Sequence, residues 1–249
     1  MSNSLFDLTW EDAAEALDTA DFVVLPTGSI EQHSLHLPVS VDTLRADHLT
    51  DELIEAAPSH DLELLKLPTL PFGYSEHHMN YAGTITLSAE TYQKVVTEIG
   101  ASMAEHGAER LLVVNCHGGN IEPIALAADR LERDHDLPVH FVHWTNYAKE
   151  ALTAEFGDWG DDWGHAGPHE TSVIELFRPD LVHEDRKEPQ VRRANYETKV
   201  RRYFDDITQQ GGMGEPSDSN AEFMSDVVAA TTDRILRELK SDMEQYSVD

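Results

Sequence analysis

The 249-residue chain carries one cysteine, Cys116, which rules out an intrachain disulfide and any metal site built from clustered thiolates. Long hydrophobic runs are missing: no stretch of roughly 18 or more apolar residues occurs, so no membrane span is expected. The acidic opening MSNSLFDLTWEDAAEALD has no apolar segment of the signal-peptide kind. These two absences point to a cytoplasmic protein. Phosphate loops are lacking as well, since no GxGxxG follows an apolar run and no lysine closes the GGMG at Gly211–Gly214.

Positive charge is scarce. Lysine and arginine number 18 against 47 aspartates and glutamates, for a net charge of −29, and only six of the cations are lysine. Such a surface repels nucleic acid and anionic lipid, so neither is expected as a partner. The acids are spread along the chain, and 40% of residues are hydrophobic, which fits a folded protein with an acid-covered surface. Self-repulsion of this size is tolerable where salt screens it, because the Debye length falls to about 3 Å at 1 M. The composition therefore points to a salt-adapted, haloarchaeal-type host.

Short apolar runs alternate with amphipathic segments along the chain. DFVVLP (Asp21 to Pro26), LELLKLP (Leu62 to Pro68), RLLVVN (Arg110 to Asn115) and VHFVHW (Val139 to Trp144) read as buried strands bounded by turn residues. Helices are expected over Thr43 to Ala57, Ser88 to His106 with Gly107 as its stop, and Ile121 to His135. ETSVIELF starts another, and Asn220 to Gln245 reads as a long terminal helix. This βαβ series implies a mostly parallel sheet covered on both faces, in a single domain spanning 1–249. Gln209 to Asn220 reads as a flexible loop.

In open α/β sheets ligands collect at the carboxyl ends of strands, and three polar clusters lie there. The first is LPTGSIEQHSLHLPVSVD, with Glu31, His33, His36 and Asp42 inside twelve positions. NCHGGN, Asn115 to Asn120, is the second; it sets His117 at a strand tip beside two glycines that permit close backbone approach. WGHAGPHETS supplies His165, His169 and Glu170 at a helix start. Mixed imidazole and carboxylate donors suit Zn, Mn or Fe, and a pair of such ions needs a bridging carboxylate, for which Asp42 is the candidate. A paired site activates water and polarises a carbonyl, as amide hydrolysis requires, and a histidine beside it can pass a proton to the departing nitrogen.

Each residue alone also has a plainer reading. Asp42 fits a helix N-cap, His117 a hydrogen-bonded strand end, and Glu31 a surface carboxylate. His36, His48, His77, His78 and His169 read as solvated or structural, since 14 histidines exceed what one site uses. Cys116 reads as a small buried hydrophobe, with a thiol nucleophile as the competing possibility. Coincidence of three clusters at three strand ends favours the site.

PTGSIEQHSLHLPVSVD, NCHGGN and HAGPHETS, in this order and spacing, resemble the P-x-G-S-x-E-Q-H-G-x-H-L-P, N-x-H-G-G-N and H-A-G-x-x-E-T-S motifs of the creatininase (creatinine amidohydrolase) family. GGMGEPSDSNAEF resembles that family's late G-x-x-G-x-P segment. The resemblance implies a three-layer α/β/α domain with two divalent metal ions, in a homo-oligomer that is often a hexamer. Carried over, Glu31, His33, Asp42 and His117 are metal ligands, with Asp42 bridging; Glu170 is the glutamate of the third motif and His165 the proton shuttle. Creatininases carry a glutamate ligand two residues after the histidine matching His117, and here that position is Gly119. Trp144, Trp159 and Trp163 are candidates for the aromatic residues that enclose substrate. Implied, then, is hydrolysis of a C–N bond in a small cyclic amide or formamide. Alternatives are a formylamino-pyrimidine nucleotide deformylase of flavin or deazaflavin biosynthesis, with Arg45 as a phosphate counter-charge, a mycofactocin-maturing peptidase, and a non-catalytic metal-stabilised binding protein.

Overall fold

The computed structural model describes residues 2–158, 162–190 and 203–246, with the Tyr246 side chain excepted. Trp159 lies outside them. Four strands, β1 Phe22–Thr27, β2 Leu64–Lys66, β3 Leu111–Asn115 and β4 Val139–His143, form one all-parallel sheet in the order β2-β1-β3-β4. β1 and β3 lie in the middle and are buried end to end, as fits their continuous apolar runs. Their tips meet in register, Thr27 against Asn115, so the loops that leave both strands open at one edge of the sheet.

The helices are α1 Trp10–Thr19, α2 Val41–Ala56, α3 Ala89–Glu105, α4 Ile121–His135, α5 Trp144–Phe156, α6 Pro168–Phe177, the single turn α7 Phe204–Ile207, and α8 Ala221–Tyr246. Alternation along the strands divides the core between the sheet's two faces. Phe22, Val24, Leu112 and Val114 pack with Leu49 and Leu53 of α2, Ala148 and Leu152 of α5, and the apolar stripe of α8. Val23, Leu25, Leu111 and Val113 pack with Tyr92 and Val96 of α3, Ile124 and Leu131 of α4, and Leu17 of α1. The result is the expected three-layer α/β/α arrangement. Full burial of each such side chain contributes roughly 1.5–3 kcal/mol, so the two clusters supply most of the driving force for folding.

Two elements differ from the sequence expectation. VHFVHW is strand only to His143, and α5 begins at Trp144 without an intervening loop. α1 has no counterpart in the sequence expectation; WEDAAEALDT is amphipathic, but Leu17 is its single buried residue. No helix among the described residues is long and apolar enough to cross a membrane.

Candidate metal centre

The loop leaving β1 runs over the carboxyl edge of the sheet and returns as α2. Its turn is tight at Gly28, where a Cβ would meet the Thr43 backbone at 2.5 Å, so only glycine lets the loop press against the start of the helix. The N-cap of α2 is Ser40, and Asp42 stands inside the first turn with its side chain 3% exposed. The cap reading of Asp42 therefore fails: the helix end is free to orient the carboxylate toward its neighbours. Glu31 is 1% exposed and His33 fully buried, which displaces the surface reading of Glu31.

Asp42 divides its two oxygens between two histidines. Oδ2 is 3.0 Å from His117 Nδ1, and Oδ1 is 3.5 Å from His33 Nε2. Glu31 Oε2 stands 3.2 Å from the same His117 nitrogen, and Glu170 Oε2 stands 3.5 Å from the same His33 nitrogen. Two donor sets share Asp42, Glu31–Asp42–His117 and His33–Asp42–Glu170, each with its ligand atoms within 4.8 Å of one another, and Glu31–His33–His165 is another group as close. Donors 2.0–2.2 Å from a zinc-type ion are roughly 3.4 Å apart along a tetrahedral edge, so the observed spacings suit a cation at each centre.

Backbone carbonyls fix the histidines in the tautomers that ligation needs. His33 Nδ1 lies 3.1 Å from the Glu31 carbonyl and donates to it, leaving Nε2 with its lone pair toward Asp42 and Glu170. His117 Nε2 lies 2.9 Å from the Tyr74 carbonyl, leaving Nδ1 toward Asp42 and Glu31. Carbonyls placed behind an imidazole in this way are the usual support of a metal-binding histidine. Glu31 Oε2 and His33 Nε2 are buried with no hydrogen-bond partner, an arrangement a bound cation would resolve. Although burial acts to lower both, the Asp42 and Glu170 carboxylates raise His33 to about 9, and Glu31 with Asp42 holds His117 well above the usual imidazole range.

His165 follows the Gly-rich turn before α6 and stands 13% exposed, its ring 4.2 Å from that of His33. Its Nε2 donates to the Gln32 carbonyl at 2.7 Å, and Nδ1 remains as an acceptor 3.8 Å from Glu31 Oε1. Burial, then the neighbouring His33, hold it below the usual imidazole range. Ala166 takes a left-handed φ of 52°, turning its N–H onto Glu170 Oε2 at 2.6 Å. Pro168 opens α6 and Glu170 lies in its first turn, where the helix dipole favours a carboxylate.

The centre forms the floor of a cavity of roughly 720 Å³, walled by Tyr74, His77, Tyr203, Phe204 and His143, with Glu76 and Glu122 also lining it. The six residues singled out in the three motifs thus converge here. His36 is apart, buried against Thr171 Oγ1 at 2.9 Å, and His48 stacks on Phe177, so their structural reading holds. His78 and His77 do not fit that reading. His78 Nε2 is 3.3 Å from Glu31 Oε1, and both rings belong to a further possible donor set with Glu31. Both come from a loop and a single 3-10 turn, Glu76–His78, which carries no periodic signal. Trp144 and Trp163 are sealed in the core, so the aromatic wall is made instead by Tyr74, Tyr203 and Phe204. Arg45 is 1% exposed, and its terminal nitrogens donate to Glu170 and Thr145, which leaves it no free fork for a phosphate. Burial pushes the Cys116 thiol up to about 12, which is the state of a packed hydrophobe.

Comparison with known proteins identifies the family and the fold. The family model Creatininase, described as creatinine amidohydrolase, matches residues 6–239. A mycofactocin precursor peptide peptidase of Mycobacterium ulcerans is 31% identical over 190 residues, covering 73% of this chain and 68% of that protein. The creatinine amidohydrolase of Pseudomonas putida is 30% identical over 204 residues, 75% of this chain and 76% of its own. Among solved structures, a mutant creatininase of Zn-Zn type superimposes with a TM-score of 0.85 over 97% of this chain and 98% of its own, at 22% identity, a likeness of fold.

Proposed function

The chain belongs to the creatininase family of C–N bond hydrolases, and on that premise we propose that it is a metal-dependent amidohydrolase whose single domain, residues 1–249, holds two divalent ions on one shared carboxylate. The observation that carries this reading is Asp42, the one residue common to the Glu31–Asp42–His117 and His33–Asp42–Glu170 sets. When bound, the ions (Zn, Mn or Fe) supply Lewis acidity that activates water and polarises the scissile carbonyl.

The chain's own groups do the rest. His165 offers Nδ1 toward the cavity while the Gln32 carbonyl holds its other nitrogen, so it accepts the proton released by attacking water and delivers it to the leaving nitrogen. Gln32 Nε2 donates to the Gly211 carbonyl at 3.0 Å and lies 2.9 Å from His78 Nδ1. That bond orients His78 Nε2–H at Glu31 Oε1, which leaves Glu31 Oε2 for the metal. The buried ring of His78 and the half-buried ring of Phe204, stacked 4.2 Å apart, shield this side from water.

The substrate is a small amide, cyclic or formyl. A cavity of roughly 720 Å³ lies in the range of about 300–1,000 Å³ that accepts drug-sized ligands, so a peptide end is a second reading. The deformylase reading loses its suggested counter-charge, since Arg45 is tied to Glu170. The test is release of amine, formate or ring-opened product from creatinine, a formylamino-pyrimidine nucleotide and short peptides by metal-reconstituted protein in high salt. Turnover of at least one substrate is expected, abolished by chelation. In His165→Ala the metal content should persist while the rate falls about 10²- to 10⁴-fold. A fully metal-loaded protein inert toward every member of the panel would favour the binding-protein alternative.

A further inference from the structure

Arg45 lies one turn beyond Asp42 on α2 and is 1% exposed. A guanidinium that deep needs partners for its charge; the two terminal nitrogens have them, while Nε is buried without one. Nη1 pairs closely with Glu170 Oε1 and is 3.7 Å from Asp42 Oδ1. Nη2 donates to Thr145 Oγ1 at 3.1 Å, and the Trp144 ring lies 5.9 Å from the guanidinium carbon. Glu170 is thereby split: Oε1 is held by Arg45, while Oε2, fixed by the Ala166 N–H, faces His33 Nε2. Position 119 cannot substitute for it, because a Cβ there would meet the Tyr74 carbonyl at 2.1 Å and His117 Nε2 at 2.5 Å. The carboxylate completing the His33 set must therefore arrive from α6, across the gap that Arg45 spans.

We propose that Arg45 is a positioning residue that aims Glu170 Oε2 at the donor set shared with His33 and Asp42, and so sets the affinity of that metal position. The proposal rests on the two-ion reading. Its sign is opposite to the plain electrostatic expectation. A fixed cation beside a metal site repels the ion, so removing its charge would tighten binding if charge alone mattered; if orientation matters, removal weakens it.

Titration of the full-length apoprotein with Mn²⁺, followed by electron paramagnetic resonance and elemental analysis, separates these. Wild type is expected to bind two ions per chain. Arg45→Met should bind one with unchanged affinity and the other about 10- to 100-fold more weakly, the usual loss when support behind a ligand is removed. Arg45→Lys should recover part of the loss, and Thr145→Val, which frees one end of the guanidinium without stranding a charge, should show a smaller loss at the same ion. Equal or tighter binding of the second ion by Arg45→Met overturns the proposal. If Arg45→Met does not fold, Thr145→Val decides, and an unchanged second affinity there overturns it equally. Fewer than two ions in wild type would instead contradict the two-ion reading before any substitution is made, and the proposal would fall with it.

Discussion

At the scale of single residues, the centre depends on where protons are allowed to sit. His33 and His117 each spend one nitrogen on a backbone carbonyl and turn the other toward two carboxylates, so their identity as donors is set by main-chain groups. Motif spacing made these two legible, with Glu31, Asp42, His165 and Glu170, because they follow strand ends or open helices. His78, His77, Tyr74 and Phe204 were not legible as site residues. They come from irregular segments, and only tertiary packing carries them to the same cavity. Cys116 sits next to His117 in sequence and also lines the cavity, but it is buried and packs in the core with Leu112 and Val114. Cys116→Ala is expected to keep turnover within a few-fold of wild type in a steady-state assay; loss of activity with normal metal content would restore the thiol to the mechanism.

At the scale of elements, the site is a consequence of two crossings. β1 delivers Glu31 and His33 and is followed by α2 with Asp42; β3 delivers His117 directly. The four strands were readable to within a few residues because buried parallel strands are continuous apolar runs. α1 was not, since its sequence is alanine and acid with one buried leucine, and α5 was hidden because it starts where β4 stops. The most sensitive joint is Gly28. Gly28→Ala forces a Cβ into the Thr43 and Asp42 backbone, which should lower stability by about 1–3 kcal/mol and loosen metal retention together. Chemical denaturation of the apoprotein measures the first; an unchanged midpoint would mean that α2 can shift without cost.

At the scale of the whole molecule, the net charge of −29 dominates. Repulsion among the acids opposes compaction, and salt at molar concentration shortens its range to about 3 Å. Thermal unfolding followed across a salt series should show the midpoint rising steadily, whereas undiminished stability in dilute buffer would contradict the proposed salt adaptation. The same screening should permit self-association. Leu35, Val39, Phe72, Met79 and Ile85 are large apolar side chains left exposed, and we propose that they join copies of this chain, which sedimentation in high salt tests.

Whether Asp42 joins two metal positions into one catalytic centre is decided by elemental analysis of reconstituted, exhaustively dialysed wild type and Asp42→Ala. Two ions per chain in wild type, with neither retained and no turnover in a folded Asp42→Ala, is the predicted result. An Asp42→Ala protein that keeps both ions, or turns over substrate at the wild-type rate when verified metal-free, would contradict it.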